Sequence, residues 1–373
     1  MQHLVALDGV GDDQFVERLS GIWDRGDAAF VVDPRLPPVA RAELFAAVRP
    51  THVLDVLGSM TSLAGGEPVE RDDALVLATS GTSGAPKGVV LSHAALAASA
   101  AATSDRLGVS AADHWLACLP LAHVGGLSVV VRALLTGTRL TVHAGFDAAA
   151  VEASGATLVS LVGAAVRRID PAVFRVIVLG GSRPPADRPP NAVTTYGMTE
   201  SGSGVVYDGI PLDGVEVRIG DDDEISLRGA MLLRCYRGGD DPKSPEGWFP
   251  TGDLGRWLPD GRLHVDGRRG DVIVTGGEKV WPDAVERALS GCPGVADVAV
   301  AGVPDQRWGH AVTAFVVSDR PAEVSLDGLR AAVKETMPAY AAPQRLEFVD
   351  VIPRTSLGKP RRAALVAAMP TDD

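Results

Sequence analysis

A polar, glycine-containing stretch between two apolar runs constrains this chain more than any other feature. Residues 75–78, LVLA, are typical of a buried strand, and residues 89–91, VVL, form a second such run. The ten residues between them, TSGTSGAPKG, hold three glycines, four hydroxyl side chains and one lysine. Glycine allows backbone N–H groups to approach an anion, hydroxyl groups donate hydrogen bonds to phosphate oxygens, and lysine adds a positive charge. The predicted phosphate ligands are Thr79, Ser80, Gly81, Thr82, Ser83, Gly84 and Lys87.

This stretch does not have the pattern of a Walker A loop. Such a loop needs G-x-x-x-x-G-K followed by Ser or Thr and leads directly into a helix, whereas Lys87 is followed by Gly88 and a strand-like run. A polar turn in a β-hairpin is the alternative interpretation. Residue chemistry alone leaves both interpretations open.

The composition is that of a globular protein without the positive charge expected for binding nucleic acid or anionic membranes. The chain has 373 residues, enough for two domains, and a formal net charge of −12, which argues against nucleic acid and anionic membranes as partners. Its three cysteines lack metal-ligand spacing, so we expect reduced thiols. The first residues lack the pattern of a signal peptide, and no apolar run is long enough for membrane insertion. We therefore expect a cytoplasmic protein.

Apolar runs and helical patterns alternate through the first 200 residues, which predicts an α/β fold. Strands at 3–7, 28–32 and 52–57 alternate with helices after Asp12 and at 40–48, as in a doubly wound layer. A strand over 114–121 precedes His123 and two glycines, at the strand end where α/β enzymes tend to place ligand groups. A purely structural histidine is the alternative there.

The segment VTTYGMTE at 193–200 is a second candidate for ligand binding. Tyr196 offers a flat face for stacking on a base, and Gly197 permits close backbone approach. Thr199 can bind a phosphate, and Glu200 can hold a magnesium ion that arrives with ATP. Taken alone, the segment could equally be a strand end with a solvated carboxylate.

These motifs together resemble the adenylate-forming superfamily of acyl- and aryl-CoA synthetases, luciferases and peptide-synthetase adenylation domains. TSGTSGAPKG matches its signature loop almost throughout, and PLAHVGG, VTTYGMTE, WFPTGDLGR and PRTSLGK match further motifs in the same order along the chain. The resemblance implies a large N-terminal α/β domain of packed sheets and helices over residues 1–268. A small mobile α+β domain would follow over 269–373, with the hinge near Gly270.

The resemblance also implies a role for individual residues in binding ATP. Asp253 and Arg268 would bind the ribose, where a plain surface ion pair is the alternative. Lys359 would be the catalytic lysine, where a basic C-terminal tail is the alternative. His123 and Thr199 would take part in catalysis, and Glu200 would bind Mg²⁺. The further ATP-binding positions that it implies are Gly181, Ser182, Tyr196, Gly197, Met198 and Thr199.

Within the superfamily, the sequence most resembles the o-succinylbenzoate–CoA ligases of menaquinone biosynthesis. The implied substrates are o-succinylbenzoate, ATP and coenzyme A, with His123, Gly181, Ser201 and Ser203 as candidates for binding the acid. Gly276, Gly277 and Lys279 would contact CoA, although Lys279 stands where asparagine is commoner. Another acid–CoA ligase, an enzyme that loads a carrier protein and a nucleotide-binding regulatory protein are the alternatives. A homodimer is expected by analogy only.

Overall fold

The computed structural model describes residues 2–80, 86–181, 187–354 and 360–369. Within these ranges the chain forms two compact units. The first unit holds the residues up to 218 together with 226–251 and 257–263. The second unit holds 219–225, 252–256 and the residues from 264 onward.

Helices and strands alternate through the first unit, whereas antiparallel strands and short helices dominate the second. The helices are α1 (Asp13–Asp24), α2 (Pro38–Val48), α3 (His93–Leu107), α4 (Val124–Thr136), α5 (Ala148–Glu152), α6 (Gly163–Val166), α7 (Pro282–Leu289), α8 (Leu326–Lys334) and α9 (Arg362–Ala367). The strands are β1 (Leu4–Asp8), β2 (Ala28–Val32), β3 (His52–Leu54), β4 (Met60–Ser62), β5 (Asp73–Ser80), β6 (Pro86–Ser92), β7 (His114–Ala117), β8 (Arg139–Val142), β9 (Leu158–Leu161), β10 (Val176–Leu179), β11 (Ala192–Met198), β12 (Ser203–Tyr207), β13 (Ile210–Pro211), β14 (Glu216–Ile219), β15 (Glu224–Arg228), β16 (Cys235–Tyr236), β17 (Phe249–Trp257), β18 (Leu263–Arg268), β19 (Ile273–Thr275), β20 (Glu278–Val280), β21 (Asp297–Asp305), β22 (Gly309–Val317) and β23 (Arg345–Phe348).

The first sheet of the first unit has the strand order β16–β6–β5–β2–β1–β3–β4. Strands β1, β2, β3 and β5 run parallel, and β2 is buried along its whole length. Helix α1 begins where the Asp12 carboxylate accepts a hydrogen bond from the Phe15 N–H, and it buries Phe15, Leu19 and Ile22. The predicted strand–helix–strand–helix–strand layer is confirmed.

The second sheet of the first unit has the order β13–β12–β11–β10–β9–β7–β8. Strands β7 to β11 pair in parallel, so their carboxyl ends meet at one edge, where α/β enzymes place ligand groups. Gly181 follows the end of β10, and Glu200 follows the end of β11. The topology therefore assembles two of the predicted binding segments at the same edge.

The prediction that a strand over 114–121 leads up to His123 is wrong in its extent. Strand β7 ends at Ala117, and His123 is instead the N-cap residue of helix α4. Pro120 lacks an N–H group for pairing, and the chain turns there, because the His123 N–H donates to the Pro120 carbonyl. His123 thus lies at the amino end of a helix, six residues beyond the end of the strand.

The second unit contains a sheet of order β20–β19–β22–β21, with β23 paired to β22. Its core includes Val285 and Leu289 from α7 and Leu329 and Val333 from α8. Because both helices cover antiparallel strands, this part has the predicted α+β character. A further sheet has the order β14–β15–β17–β18. The acidic residues Asp221, Asp222 and Asp223 lie between β14 and β15, and Glu224 begins β15.

No helix in the described part of the chain is long and apolar enough to cross a membrane.

Candidate active site

The predicted phosphate loop joins the two strands of a tight antiparallel pair. In the register of β5 and β6, Thr79 pairs with Lys87 and residue 80 with Pro86. Thr79 is half-buried and the Lys87 side chain is exposed. Gly81, Thr82, Ser83 and Gly84 lie outside the described residues. The strand–loop–strand arrangement distinguishes this loop from a Walker A loop, which opens into a helix.

Lys87 and Glu200 both contact one tyrosine, Tyr236, that the sequence analysis did not single out. The Lys87 ammonium lies 4.9 Å from the centre of the Tyr236 ring, and the Tyr236 hydroxyl donates to Glu200 Oε1 over 3.0 Å. The structure therefore brings the base of the phosphate loop close to the predicted metal ligand. A tyrosine in RCYRGG has no motif context in the sequence, so pattern alone gave no signal for it.

The segment from Tyr196 to Glu200 ends strand β11 and continues into a single 3-10 turn. A bulge lies between Tyr196 and Gly197, and a side chain at Gly197 would collide with the Ser203 carbonyl oxygen. Glycine is thus required here by a close backbone approach. Met198 precedes the turn, which holds Thr199, Glu200 and Ser201.

The two serines predicted to bind the acid are both buried, and each already has a partner. The Ser201 hydroxyl accepts from the Met198 N–H at 3.0 Å and lies 2.8 Å from the Ser203 carbonyl oxygen, so its hydrogen bonds shape the turn itself. Ser203 Oγ accepts a hydrogen bond from Arg132 Nη2 over 3.0 Å. Gly181 is exposed, with φ of +79°, and Ser182 lies outside the described ranges.

Arg132 is a functional candidate that the sequence analysis missed. It lies on α4, is 2 % exposed, and its guanidinium carbon is 4.8 Å from the centre of the Trp115 ring. No described residue accepts a hydrogen bond from Arg132 Nε or Nη1, or from the buried indole nitrogen of Trp115. Burial lowers the pKa of the Arg132 guanidinium. The available signal was a single charge inside the apolar run VGGLSVVVRALL.

The space beside Arg132 is small. It is lined by apolar side chains together with Ser99, Ser128, Arg132 and Gly202. Its free volume of about 10 Å³ is close to that of one water molecule measured in the same way. A buried guanidinium with donors to spare beside such a space has the chemistry of an anion or water receptor.

His123 is half-buried, and its carbonyl oxygen accepts hydrogen bonds from the N–H groups of Gly126 and Leu127. Burial is the main cause that lowers the pKa of its imidazole; Asp33 opposes this shift and Arg35 adds to it. Because a lowered pKa favours the uncharged ring near pH 7, His123 can orient a carboxylate by hydrogen bonding without adding charge.

In the second unit the two predicted ribose ligands contact each other. Arg268 Nε lies 3.0 Å from Asp253 Oδ1, with the Asp253 side chain 10 % exposed and that of Arg268 45 % exposed. The largely buried carboxylate is held by its partner, while the guanidinium remains accessible. In such a pair the carboxylate can accept hydrogen bonds from the hydroxyl groups of a diol, and the guanidinium can donate hydrogen bonds to their oxygens.

The predicted CoA ligands lie around a two-residue hairpin turn between β19 and β20. Gly276 and Gly277 have φ of +57° and +88°, as a type I′ turn requires. A side chain at Gly276 would also approach Trp308 within 3.1 Å. Lys279 Nζ lies 3.8 Å from Asp223, and both side chains are exposed. Lys359 lies outside the described residues.

Gly270, the predicted hinge, lies in a 3-10 turn over Arg269–Asp271. A Cβ atom there would meet no atom within 4 Å, and its φ is not in the left-handed region. The observed backbone therefore does not require glycine at this position.

A magnesium ion at Glu200 fits the donors found there. The carboxylate is half-buried, and one of its oxygens is hydrogen-bonded to Tyr236, which leaves the other oxygen as a hard donor. Across the described ranges, no group of three or more His, Cys, Asp or Glu side chains could hold a metal ion. Magnesium bound through substrate phosphates and one carboxylate does not need such a group.

Comparison with known proteins places these residues in a family. Residues 59–237 match the AMP-binding enzyme family and residues 284–359 match the AMP-binding enzyme C-terminal domain. The chain is similar to a probable 2-succinylbenzoate–CoA ligase of Mycobacterium tuberculosis, with 41% identity over 348 residues that cover 85% of this chain and 89% of that relative. The chain belongs to the AMP-binding enzyme family. The resemblance predicted from the sequence motifs is thereby confirmed.

Solved structures of AMP-binding enzymes have the same fold. The o-succinylbenzoate CoA synthetase of Bacillus subtilis in complex with the acyl-adenylate intermediate OSB-AMP matches with a TM-score of 0.86 and 26% sequence identity, covering 98% of this chain and 88% of that chain. The same B. subtilis enzyme in complex with ATP and magnesium ion matches with a TM-score of 0.85 and 26% identity, covering 97% of this chain and 89% of that chain. The predicted α/β fold class is confirmed.

Proposed function

We propose that this AMP-binding enzyme is an ATP-dependent o-succinylbenzoate–CoA ligase. The acid's carboxylate attacks the α-phosphorus of ATP, and the bond to pyrophosphate breaks to give an acyl-adenylate. The thiol of CoA then attacks the acyl carbon, AMP leaves, and a thioester forms. The similarity to 2-succinylbenzoate–CoA ligases over most of both chains supports this reaction.

The observation that carries the choice of acid is the group of donors at Arg132 and Trp115 that have no acceptor among the described residues. o-Succinylbenzoate has a second carboxylate, and a carboxylate accepts hydrogen bonds from guanidinium and indole N–H groups. Arg132 contacts Ser203, three residues after Glu200, so it lies beside the segment predicted to bind the adenylate. Because the space there is close to the size of one water molecule, we expect the second carboxylate to reach Arg132 through a bound water or by displacing it.

Residues of the first unit would handle the triphosphate and the acid. The hydroxyl groups and N–H groups of the phosphate loop, with Lys87, would hold the departing β- and γ-phosphates. When bound with ATP, magnesium supplies positive charge against the triphosphate, and Glu200 is the residue that would hold it. Tyr196 would stack on adenine, and neutral His123 would orient the reacting carboxylate by hydrogen bonding.

Residues of the second unit would contribute in different steps. Asp253 and Arg268 would bind the ribose, and Lys359 would stabilise the charge that develops as the carboxylate attacks the phosphate. The turn at Gly276 and Gly277 would lie along the pantetheine arm of CoA during thioester formation, with Lys279 nearby. Between the two steps the orientation of the domains would change about Gly270. A homodimer is a prediction by analogy alone.

The test is product analysis with the purified protein, Mg·ATP, CoA and o-succinylbenzoate, beside benzoate and octanoate as control acids. We expect o-succinylbenzoyl-CoA, AMP and pyrophosphate, with the two control acids converted at least 100-fold more slowly. Activity on a control acid alone would contradict the choice of acid, and acyl transfer only to a carrier protein would contradict the choice of acceptor. Absence of pyrophosphate with every acid would favour a nucleotide-binding regulatory protein.

A further inference from the structure

The Tyr236 side chain contacts both Lys87 and Glu200. Its hydroxyl donates to Glu200 Oε1 over 3.0 Å, and the face of its ring lies 4.9 Å from the Lys87 ammonium. These two contacts use different parts of the side chain, because the phenol oxygen binds the carboxylate and the π-system attracts the cation. The two groups with which the protein would hold the triphosphate and its metal are therefore joined through one residue.

The backbone of Tyr236 is fixed by the elements that carry the two groups. In the pairing of β16 with β6, Tyr236 lies opposite Val89, two residues from Lys87, and the Arg237 N–H donates to the Gly88 carbonyl over 2.6 Å. On the other side the Leu233 N–H donates to the Glu200 carbonyl over 2.7 Å. A side chain on a backbone held from both sides can keep its partners in place.

We propose that Tyr236 is a positioning residue for the binding of ATP with magnesium, an inference that rests on the function proposed above. The phenol holds one oxygen of Glu200, and the other oxygen would hold the metal. The ring holds the Lys87 ammonium near the base of the phosphate loop, so that less side-chain freedom is lost when the triphosphate binds. Tyr236 itself contacts neither the reacting carboxylate nor the α-phosphorus in this scheme.

The experiment measures binding of α,β-methylene ATP by calorimetry at a series of magnesium concentrations, without acid or CoA. In Tyr236→Phe the ring remains and the hydroxyl is lost. We expect the magnesium concentration for half-maximal binding to rise about 10-fold, as when an outer contact to a metal ligand is removed. Binding of the analogue without magnesium should stay as in the wild type.

A second variant separates the contribution of the ring. Tyr236→Leu should additionally weaken binding without magnesium about 3-fold, and this extra loss should disappear in a Lys87→Met background, because the ring would then have no cation to hold. Tyr207→Phe is the matched control. It also loses a phenol hydrogen bond, which the Tyr207 hydroxyl makes to Thr103 Oγ1 over 3.2 Å, and its magnesium dependence should stay unchanged.

Three outcomes are distinguishable. A wild-type protein that binds no Mg·nucleotide would overturn the proposed function as well. A Tyr236→Phe protein that matches the wild type at every magnesium concentration would overturn this inference alone. A lowered melting temperature in Tyr236→Phe without any change in magnesium dependence would assign Tyr236 a structural role and reject the positioning role.

Discussion

Arg132 is the residue at which stability and the proposed function oppose each other most clearly. A guanidinium that is 2 % exposed, with two nitrogens lacking an acceptor among the described residues, carries a desolvation cost that its bond to Ser203 does not offset. The stacking of Arg132 on Trp115 offsets only a further part of this desolvation cost. An enzyme retains such a charge at the expense of stability when a bound anion or water completes the site.

Stability and activity should therefore change in different directions in Arg132→Met, which removes the charge and keeps most of the side-chain volume. We expect the melting temperature to stay unchanged or rise, because a buried charge is replaced by an apolar group of similar size. The value of kcat/KM for o-succinylbenzoate should fall about 100-fold, while the affinity for ATP changes little. Steady-state kinetics and thermal unfolding check both halves.

The matched control is Arg41→Met, which removes an arginine of the same unit that pairs with Asp8 over 2.6 Å at the surface. Its kinetics should stay close to the wild type. If Arg132→Met lost several degrees of melting temperature and kept full kcat/KM, Arg132 would be a structural residue.

At the scale of single residues, the sequence motifs point to segments of the candidate site and not to the contacts between those segments. The phosphate loop and the Tyr196–Glu200 segment carry their chemistry in consecutive residues, so the sequence displays it directly. Arg132 and Tyr236 act through partners 71 and 36 residues away in the chain, and such pairs become visible only in the folded sheet. Ser201 was predicted to face the acid, yet its hydroxyl bonds its own turn, a local use that residue type does not reveal.

At the scale of elements, Asp113 ties together the starts of three neighbouring parallel strands. It precedes β7, accepts hydrogen bonds from Thr157 ahead of β9 over 2.8 Å, and pairs with Arg175 ahead of β10 over 2.8 Å. Burial alone would raise its pKa, but the hydrogen bonds from Arg175, Ser110 and Thr157 outweigh it and lower the pKa to about 2. The ionised carboxylate therefore stabilises the amino ends of these strands.

We expect Asp113→Asn to lower the free energy of unfolding by about 1 to 2 kcal/mol at pH 7, a value reduced for the partial exposure of Arg175. The pKa is below its value of 3.8 in an unfolded chain, so the contribution is complete above that pH. It is lost as the pH falls from 4 toward 2, and the gap between wild type and variant should close there.

Denaturant unfolding of both proteins, followed by tryptophan fluorescence at several pH values, measures this gap. The control is Glu43→Gln, which removes an exposed carboxylate on α2. Its free energy of unfolding should equal that of the wild type at every pH. A gap for Asp113→Asn that stayed constant down to pH 2 would show that shape, and not charge, fixes these strand ends.

Elements were predictable where periodicity and capping agree, as in α1, and less so where a turn interrupts an apolar run. The run over 114–121 continues in hydrophobicity past Ala117, but the strand ends there because the chain turns toward the helix that His123 caps. Cys118 and Leu121 beyond the strand are as buried as the strand itself, so hydrophobic composition did not mark the boundary.

At the scale of the whole molecule, the proposed reaction consists of two steps that need different groups. Adenylation brings two anions together and needs positive charge at the α-phosphate, for which Lys359 is the predicted source. Thioester formation needs access for the CoA thiol, for which the turn at Gly276 and Gly277 is predicted. Gly270 lies in open space, in a backbone conformation that any residue could adopt. Local packing therefore does not explain why this residue is glycine, whereas a second backbone conformation at this position would explain it.

Lys359→Ala should separate the two steps. We expect adenylate formation, measured as pyrophosphate release or as isotope exchange between pyrophosphate and ATP, to fall at least about 100-fold, or about 3 kcal/mol, as when one transition-state donor is deleted. Thioester formation from supplied o-succinylbenzoyl-adenylate and CoA should stay within about 2-fold of the wild type, because the thiol attacks the acyl carbon and the phosphorus is not attacked in this step. Lys334→Ala, an exposed lysine at the end of α8 in the same unit, controls for loss of charge and should leave both steps unchanged. Equal losses in both steps would mean that Lys359 acts throughout the reaction, and the assignment of separate groups to the two steps would have to be abandoned.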